Sequence, residues 1–399
     1  MIAYIGSNMR IAVITPILPM RADVTKGRFI HETVSALSRL ACTKVFLTQP
    51  RYPEWASRSN ATEGPISVND VLESVYPVEA VNYPAIPIIS RLINSQIQAR
   101  CILKSVRDFK PDIVIGYWAY PEGACAVHVA QKLGIPAVIG ALGTDINERS
   151  GIQAWLTARA LNQADKVIFV SQSMSNHAQR HHGVPQEKCA TVINGVNTDV
   201  FHPQDRTACR AALGIATDAP LIVYVGRLIE AKGLQELFDA VRALSSTYPT
   251  LKCVLIGSGG FSRHLQEQVS AHGMAEHFHL AGGMTPQEVA VHVNAADLLT
   301  LPSWTEGYPN VLVEALACGC PVVATDVGGI PEIVKINNGI LIPAKNTSAL
   351  RNALEKALQA NWDRDLISRN MRREWHDVAT ETLGICIQAI ERRKQNGTQ

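Results

Sequence analysis

Two carboxylates set the chemistry open to this chain. Glu306 and Glu314 bound the run Glu306-Gly307-Tyr308-Pro309-Asn310-Val311-Leu312-Val313-Glu314, and the second falls where apolar residues are expected. The aliphatic stretch 298–301 stops at Pro302, so a buried strand ends there and a loop carries Glu306 and Gly307. A helix then starts near Pro309, because proline is pre-set for the first helical position. It stops at Gly319-Cys320-Pro321, a glycine end with proline beyond. Its unpaired N–H groups therefore point at the Glu306 loop and form an anion site. Glu314, little more than one turn in, can hold a diol by accepting its hydrogen bonds. A diphosphate at the helix start with a ribose beside it describes a nucleotide-sugar.

A second cluster supplies cations. The run 221–225 leads into Gly226-Arg227-Leu228-Ile229-Glu230-Ala231-Lys232-Gly233, where Arg227 can fork onto phosphate oxygens and Lys232 acts as a point charge. Alone, this is equally an ordinary strand-to-helix turn with solvated charges; the Glu306 loop, following a later strand of the same sheet, favours the clamp. Gly257-Ser258-Gly259-Gly260 lacks the third glycine of a dinucleotide fingerprint, Ser262 standing in its place. It is either a close approach to base or phosphate or a structural turn. Asp363-Arg364-Asp365 has a metal-binding spacing but follows no apolar strand, and reads better as a capped helix start. Nine scattered cysteines without a C-x-x-C read as reduced, mostly core thiols in a cytoplasmic protein. No metal or bound cofactor is expected.

These groups need a scaffold. A chain of 399 residues exceeds one ordinary core and implies two domains. Short aliphatic runs at 11–14, 45–47, 113–115, 137–139, 167–170 and 191–193, then at 221–225, 254–256, 278–280, 298–301, 322–324 and 340–342, alternate with helical segments. That pattern predicts two doubly wound parallel sheets, each covered on both faces. Turn residues at 194–203 place the boundary, giving domains at 9–198 and 199–374, with 1–8 a dispensable extension. A net charge of +2 argues against a nucleic-acid partner, and no stretch is long enough to span a membrane.

The chain resembles the retaining glycosyltransferases of family 4. The match rests on Gly226-Arg227-Leu228 with Lys232-Gly233, the Glu306–Glu314 pair, and Gly319-Cys320-Pro321-Val322-Val323-Ala324-Thr325-Asp326-Val327-Gly328-Gly329-Ile330-Pro331-Glu332. Asn194-Gly195-Val196-Asn197 with Phe201, Val170-Ser171-Gln172-Ser173, Thr25-Lys26-Gly27 and Gly143-Thr144-Asp145-Ile146-Asn147 extend it over essentially the whole chain. The resemblance implies an α/β chain of GT-B fold, two Rossmann-like domains facing an interdomain cleft, with a last helix at 375–393 returning to the first domain. It assigns Arg227 and Lys232 to the diphosphate, Glu306 to the donor sugar and Glu314 to the ribose hydroxyls. Backbone N–H groups at Gly307, Tyr308, Pro309 and Asn310 (proline lacking one) would lie near sugar and phosphate. Gly226 belongs to the phosphate turn, Met284 lies where the family contacts the base, and Gly27 faces the donor. The sequence departs from the family at Leu142, where many relatives carry a histidine that touches the sugar; Asp145 is the nearest ionisable group.

The implied partners are a nucleotide-sugar donor and a glycan or lipid-linked acceptor, in surface-polysaccharide or lipopolysaccharide synthesis. Segment 84–110 carries Arg91, Arg100, Lys104, Arg107 and Lys110 against Asp108, with Ile89, Ile93 and Ile97 along one helical side. It is the candidate for acceptor contact or for contact with an anionic membrane, at the inner face of the plasma membrane, but a core-facing helix with a solvated basic end is the favoured reading. Two competing functions keep the same fold: a nucleotide-sugar 2-epimerase and an inactive nucleotide-sugar-binding protein.

Overall fold

The computed structural model describes residues 9–21, 23, 26–53, 68–72, 74–86, 89–147 and 150–396. The expected extension at 1–8, and Thr25 of the Thr25-Lys26-Gly27 element, lie outside the described residues. The chain divides into two compact units, Met1–Asn194 with Trp375–Gln399, and Gly195–Glu374.

In the first unit seven strands form one parallel sheet: β1 (Arg10–Thr15), β2 (Cys42–Arg51), β3 (Val78–Pro84), β4 (Ile113–Tyr117), β5 (Ala137–Ala141), β6 (Lys166–Phe169) and β7 (Cys189–Thr191). Their order is β3-β2-β1-β4-β5-β6-β7. Every residue of β4 and β5 is buried, which is why these strands read as unbroken apolar runs. The helix Trp375–Asn396 packs on the helix Arg28–Ser38 and adds Val378, Ala379, Leu383, Cys386 and Ala389 to this unit's core.

The second unit holds six parallel strands: β8 (Leu221–Val225), β9 (Lys252–Ile256), β10 (Phe278–Gly282), β11 (Leu298–Leu301), β12 (Val322–Thr325) and β13 (Gly339–Ile342). Their order is β10-β9-β8-β11-β12-β13. The winding reverses between β8 and β11, as it does between β1 and β4 in the first unit. Helices leave opposite faces of a sheet at such a point, so a crevice opens at the carboxyl ends of the two strands. Arg210 fixes β8 and β11 from below. Only 2% exposed, it donates to the carbonyls of Ala295, Ala216, Thr217 and Ala219 and, at 2.8 Å, to Asp297, whose carboxylate also accepts the Leu221 N–H.

Local differences from the sequence reading have physical causes. No aliphatic run marks β3, because it is an edge strand with Tyr83 its one buried residue and Glu79 paired to Lys44 at 2.8 Å. Strand β7 ends at Thr191 rather than beginning there. The helix after Pro309 runs over Asn310–Ala317, with Pro309 at the cap position. It ends in a Schellman arrangement: Gly319 takes φ +75°, its N–H binds the Leu316 carbonyl, and the Cys320 N–H binds that of Ala315. Segment 84–110 is not one continuous helix: a 3₁₀ turn at Ile89–Leu92 precedes the helix Asn94–Phe109. That helix buries Ser95, Gln98, Ala99, Ile102 and Val106, while Leu92 and Ile93 stay exposed.

Candidate functional site

The carboxyl ends of β8, β11 and β12 are tied together by side chains. Lys232, from a 3₁₀ turn beyond β8, donates to Glu306 Oε1 at 2.5 Å. Ser303 Oγ donates to the same oxygen at 2.7 Å. The Ser303 carbonyl in turn accepts from Thr325 Oγ1 at 2.6 Å, at the end of β12. The ion pair is largely enclosed, the Lys232 and Glu306 side chains being 16% and 11% exposed. Tyr224, buried in β8, donates its hydroxyl to the Arg227 carbonyl at 2.9 Å; burial, reinforced by the Glu306 charge, pushes the phenol pKa up. The Arg227 backbone is thus anchored while its side chain is exposed. An exposed arginine whose backbone is anchored, on the same loop as the lysine of a part-buried Lys–Glu pair, is an arrangement that can hold a polyanion against a carboxylate.

The glycines of these loops serve backbone packing. A Cβ on Gly233, at φ +68°, would lie 2.0 Å from the Pro302 carbonyl oxygen, and one on Gly328, at φ +55°, 1.9 Å from that of Glu306. The Gly329 N–H binds the Gly307 carbonyl at 3.0 Å. Gly257 and Gly259 likewise abut the carbonyls of Gly226 and Leu228. The turn reading of 257–260 therefore has a cause inside the protein, and Gly226 is held by its neighbours Gly257 and Tyr224.

The other positions expected at the donor lie on elements of the same unit. No side chain caps the helix Asn310–Ala317 at Pro309. Tyr308 is half-buried before it, its pKa pushed up to about 12 by burial, with Arg373 opposing and Glu332 adding to the shift. Glu314 is half-buried on that helix, close enough to Cys318 to help burial and Cys320 raise the thiol. Met284 sits just past β10 and packs against the unit's core. Asp363 caps the helix Arg364–Arg369 by accepting the Leu366 N–H at 2.9 Å.

In the first unit, Gly27 takes φ +70° at the start of the helix Arg28–Ser38, and its Cβ position is 3.0 Å from the Ile17 backbone beyond β1. Asp145 is 1% exposed and braces two loops. Its Oδ2 accepts the Ala119 N–H at 2.9 Å, and its Oδ1 accepts those of Leu142 and Gly143 at 3.1 and 2.8 Å. Burial raises its pKa and these three N–H bonds oppose the rise. Leu142 is part-buried against the unit's core. Sequence reasoning missed Ser303 and Thr325, which orient Glu306; a serine and a threonine at strand ends carry no signal of their own.

Comparison with known proteins gives this geometry a family. Residues 205–375 match the model of glycosyl transferases group 1, and residues 27–200 match that of glycosyltransferase family 4. TuaC of Bacillus subtilis, named for teichuronic acid biosynthesis, is 31% identical over 268 residues, covering 65% of this chain and 64% of that one. A D-inositol 3-phosphate glycosyltransferase of Acidothermus cellulolyticus is 28% identical over 250 residues, covering 59% and 56%. The chain thus spans less than two thirds of the length of these relatives. HepE of Anabaena, solved in complex with UDP-glucose, superposes with a TM-score of 0.68 at 18% identity, covering 98% of this chain and 100% of that one, a likeness of fold. With both units matched in turn and the two doubly wound sheets of the GT-B fold in place, residues 27–200 form a glycosyltransferase family 4 domain and residues 205–375 a group 1 glycosyl transferase domain.

Proposed function

We propose that this chain transfers a hexose from a nucleotide-diphosphate sugar to a glycan or lipid-linked acceptor in cell-surface polysaccharide or lipopolysaccharide synthesis, with retention at the anomeric carbon and without a metal. The observation that carries the reading is the Lys232–Glu306 pair at the winding reversal of the second sheet. Transfer requires the departing diphosphate to be held more tightly in the transition state than in the ground state. Lys232 and Arg227 place fixed cations for that charge, and the uncapped helix start at Pro309 adds N–H dipoles. Glu306 receives both of its bonds on Oε1, so Oε2 is left for a hydroxyl of the donor sugar. Glu314 takes the ribose hydroxyls, Met284 lies by the base, and Gly307, Tyr308 and Asn310 lend backbone N–H groups. By the resemblance Gly27 is assigned to donor binding as well. Asp145 shapes the acceptor-side loops, and the apolar Leu142 contributes no proton there.

A panel of UDP- and GDP-sugars, assayed for diphosphate release with and without lipid-linked acceptors, tests the reading. One donor is expected to release diphosphate, and acceptor to speed it, giving a product of unchanged anomeric configuration by NMR. A sugar epimer appearing in the nucleotide pool selects the 2-epimerase. Binding without turnover for every donor and acceptor selects the inactive binding protein.

Membrane contact through 84–110, at the inner face of the plasma membrane, is part of the same proposal. Leu92 and Ile93 are 45% and 52% exposed, next to the exposed cations Arg91 and Arg100. Among the described residues no helix is long and apolar enough to cross a membrane. Flotation with anionic liposomes is expected, and replacing Arg91, Arg100, Lys104 and Arg107 by glutamine should abolish it; equal flotation of the variant would remove the contact.

A further inference from the structure

Trp304 lies between Ser303 and Glu306, and its partners come from the turn before the helix Leu234–Leu244, from that helix and from the turn beyond β13. Its backbone N–H donates to the Ala231 carbonyl at 2.9 Å, next to Lys232. Its indole Nε1 donates to Glu236 Oε1 at 3.0 Å. Lys345, held at φ +58° in the turn beyond β13, sets its ammonium 4.2 Å from the centre of the ring. Glu236 is the third residue of the helix Leu234–Leu244, where the positive end of the helix favours a carboxylate. Its Oε2 is buried with no hydrogen-bond partner, so the indole N–H is the carboxylate's side-chain donor. Removing that donor would leave this half-buried carboxylate without a side-chain donor among the described residues, which makes the bond costly to break.

We propose that Trp304 is a positioning residue for Glu306, clamped by Glu236 below and Lys345 above. The clamp joins the turn after β13 and the helix after β8 to the loop after β11, one residue beyond the Ser303 hydroxyl that binds Glu306. Glu306 meets Lys232 at 2.5 Å only while that loop keeps its distance from the Lys232 turn, and the Trp304 clamp fixes the distance. The inference rests on the reading of Glu306 as the sugar-side carboxylate.

The test compares Trp304→Phe, which keeps the ring and loses the N–H, with Glu236→Gln, which keeps an acceptor, and Lys345→Arg, which keeps the cation. Turnover of the preferred nucleotide-sugar is read beside calorimetric affinity for its nucleoside diphosphate and thermal unfolding. Trp304→Phe is expected to lower kcat about tenfold with diphosphate affinity unchanged, as befits one charge-assisted bond. Glu236→Gln and Lys345→Arg should stay within about twofold of the parent, and Glu236→Leu and Lys345→Met should fall with Trp304→Phe. A Trp304→Phe protein that melts earlier but turns over normally overturns the proposal, as does a parallel loss of diphosphate affinity. Glu306→Ala separates the two layers. If it leaves kcat unchanged, the site assignment fails and the positioning role with it; if it lowers kcat while Trp304→Phe does not, only the positioning role fails.

Discussion

Lys232→Ala should lower turnover by about 10²- to 10³-fold, the usual effect of removing one preorganised donor from a developing anion. Two effects are superposed in that number. On the proposed reading Lys232 meets the donor diphosphate, and it neutralises Glu306, whose side chain is 11% exposed and, among the described residues, otherwise bonded to the Ser303 hydroxyl. Removing one member of an enclosed pair leaves the other charge uncompensated, so the variant should also lose stability. Lys232→Ala with Glu306→Gln removes the stranded charge. The double variant should recover most of the melting temperature, because glutamine still accepts from Ser303 and bears no charge. On the proposed reading it should not recover turnover, because the cation assigned to the diphosphate and the sugar-side carboxylate are both missing. Melting curves and kcat measured together decide: if turnover returns with stability, the pair is scaffold and Lys232 does not serve the diphosphate.

Gly328→Ala should cost on the order of 4 kcal/mol and displace the Glu306 loop. The left-handed conformation at φ +55° alone costs an L-residue roughly 1–2 kcal/mol. The larger part is steric. The new methyl would lie 1.9 Å from the Glu306 carbonyl oxygen, a backbone atom that no rotamer change can withdraw. Either the Gly329–Gly307 hydrogen bond or the loop must give. For a unit the size of Gly195–Glu374, each kcal/mol moves the melting point by about 2–4 °C, so a fall of roughly 8–16 °C is expected. Gly260→Ala, with nothing within 4 Å of its Cβ position, should change stability by less than about 0.5 kcal/mol. Equal melting temperatures for the two variants would refute the clash.

How far the sequence reaches follows from what each residue's neighbours are. The apolar runs at 221–225 and 298–301 coincide with β8 and β11 because both strands are buried on both faces, and burial writes itself into composition. Strand β3 stays hidden because an edge strand at water reads like a loop. The helix around Glu314 is legible from its proline start and glycine stop, both local backbone effects. The contacts of Glu306 are not, since Lys232 is 74 residues away and Ser303 is an unremarkable type. Gly257 and Gly259 are open to a ligand or a turn on sequence alone, and contacts with the carbonyls of Gly226 and Leu228 give the turn a cause inside the chain.

The interlocking of backbone carbonyls and glycines at the mouth of the second sheet restricts how this protein can be re-engineered. Loops bolted through Gly233 to Pro302, Gly257 to Gly226 and Gly328 to Glu306 have no slack for insertions, since a lengthened loop would lift one carbonyl off its glycine and carry the ion pair with it. Room to vary exists at Gly260 and Gly283, which face open space. On the proposed reading, a library seeking a new donor preference belongs at those two positions and at Met284, with the three bolts left untouched.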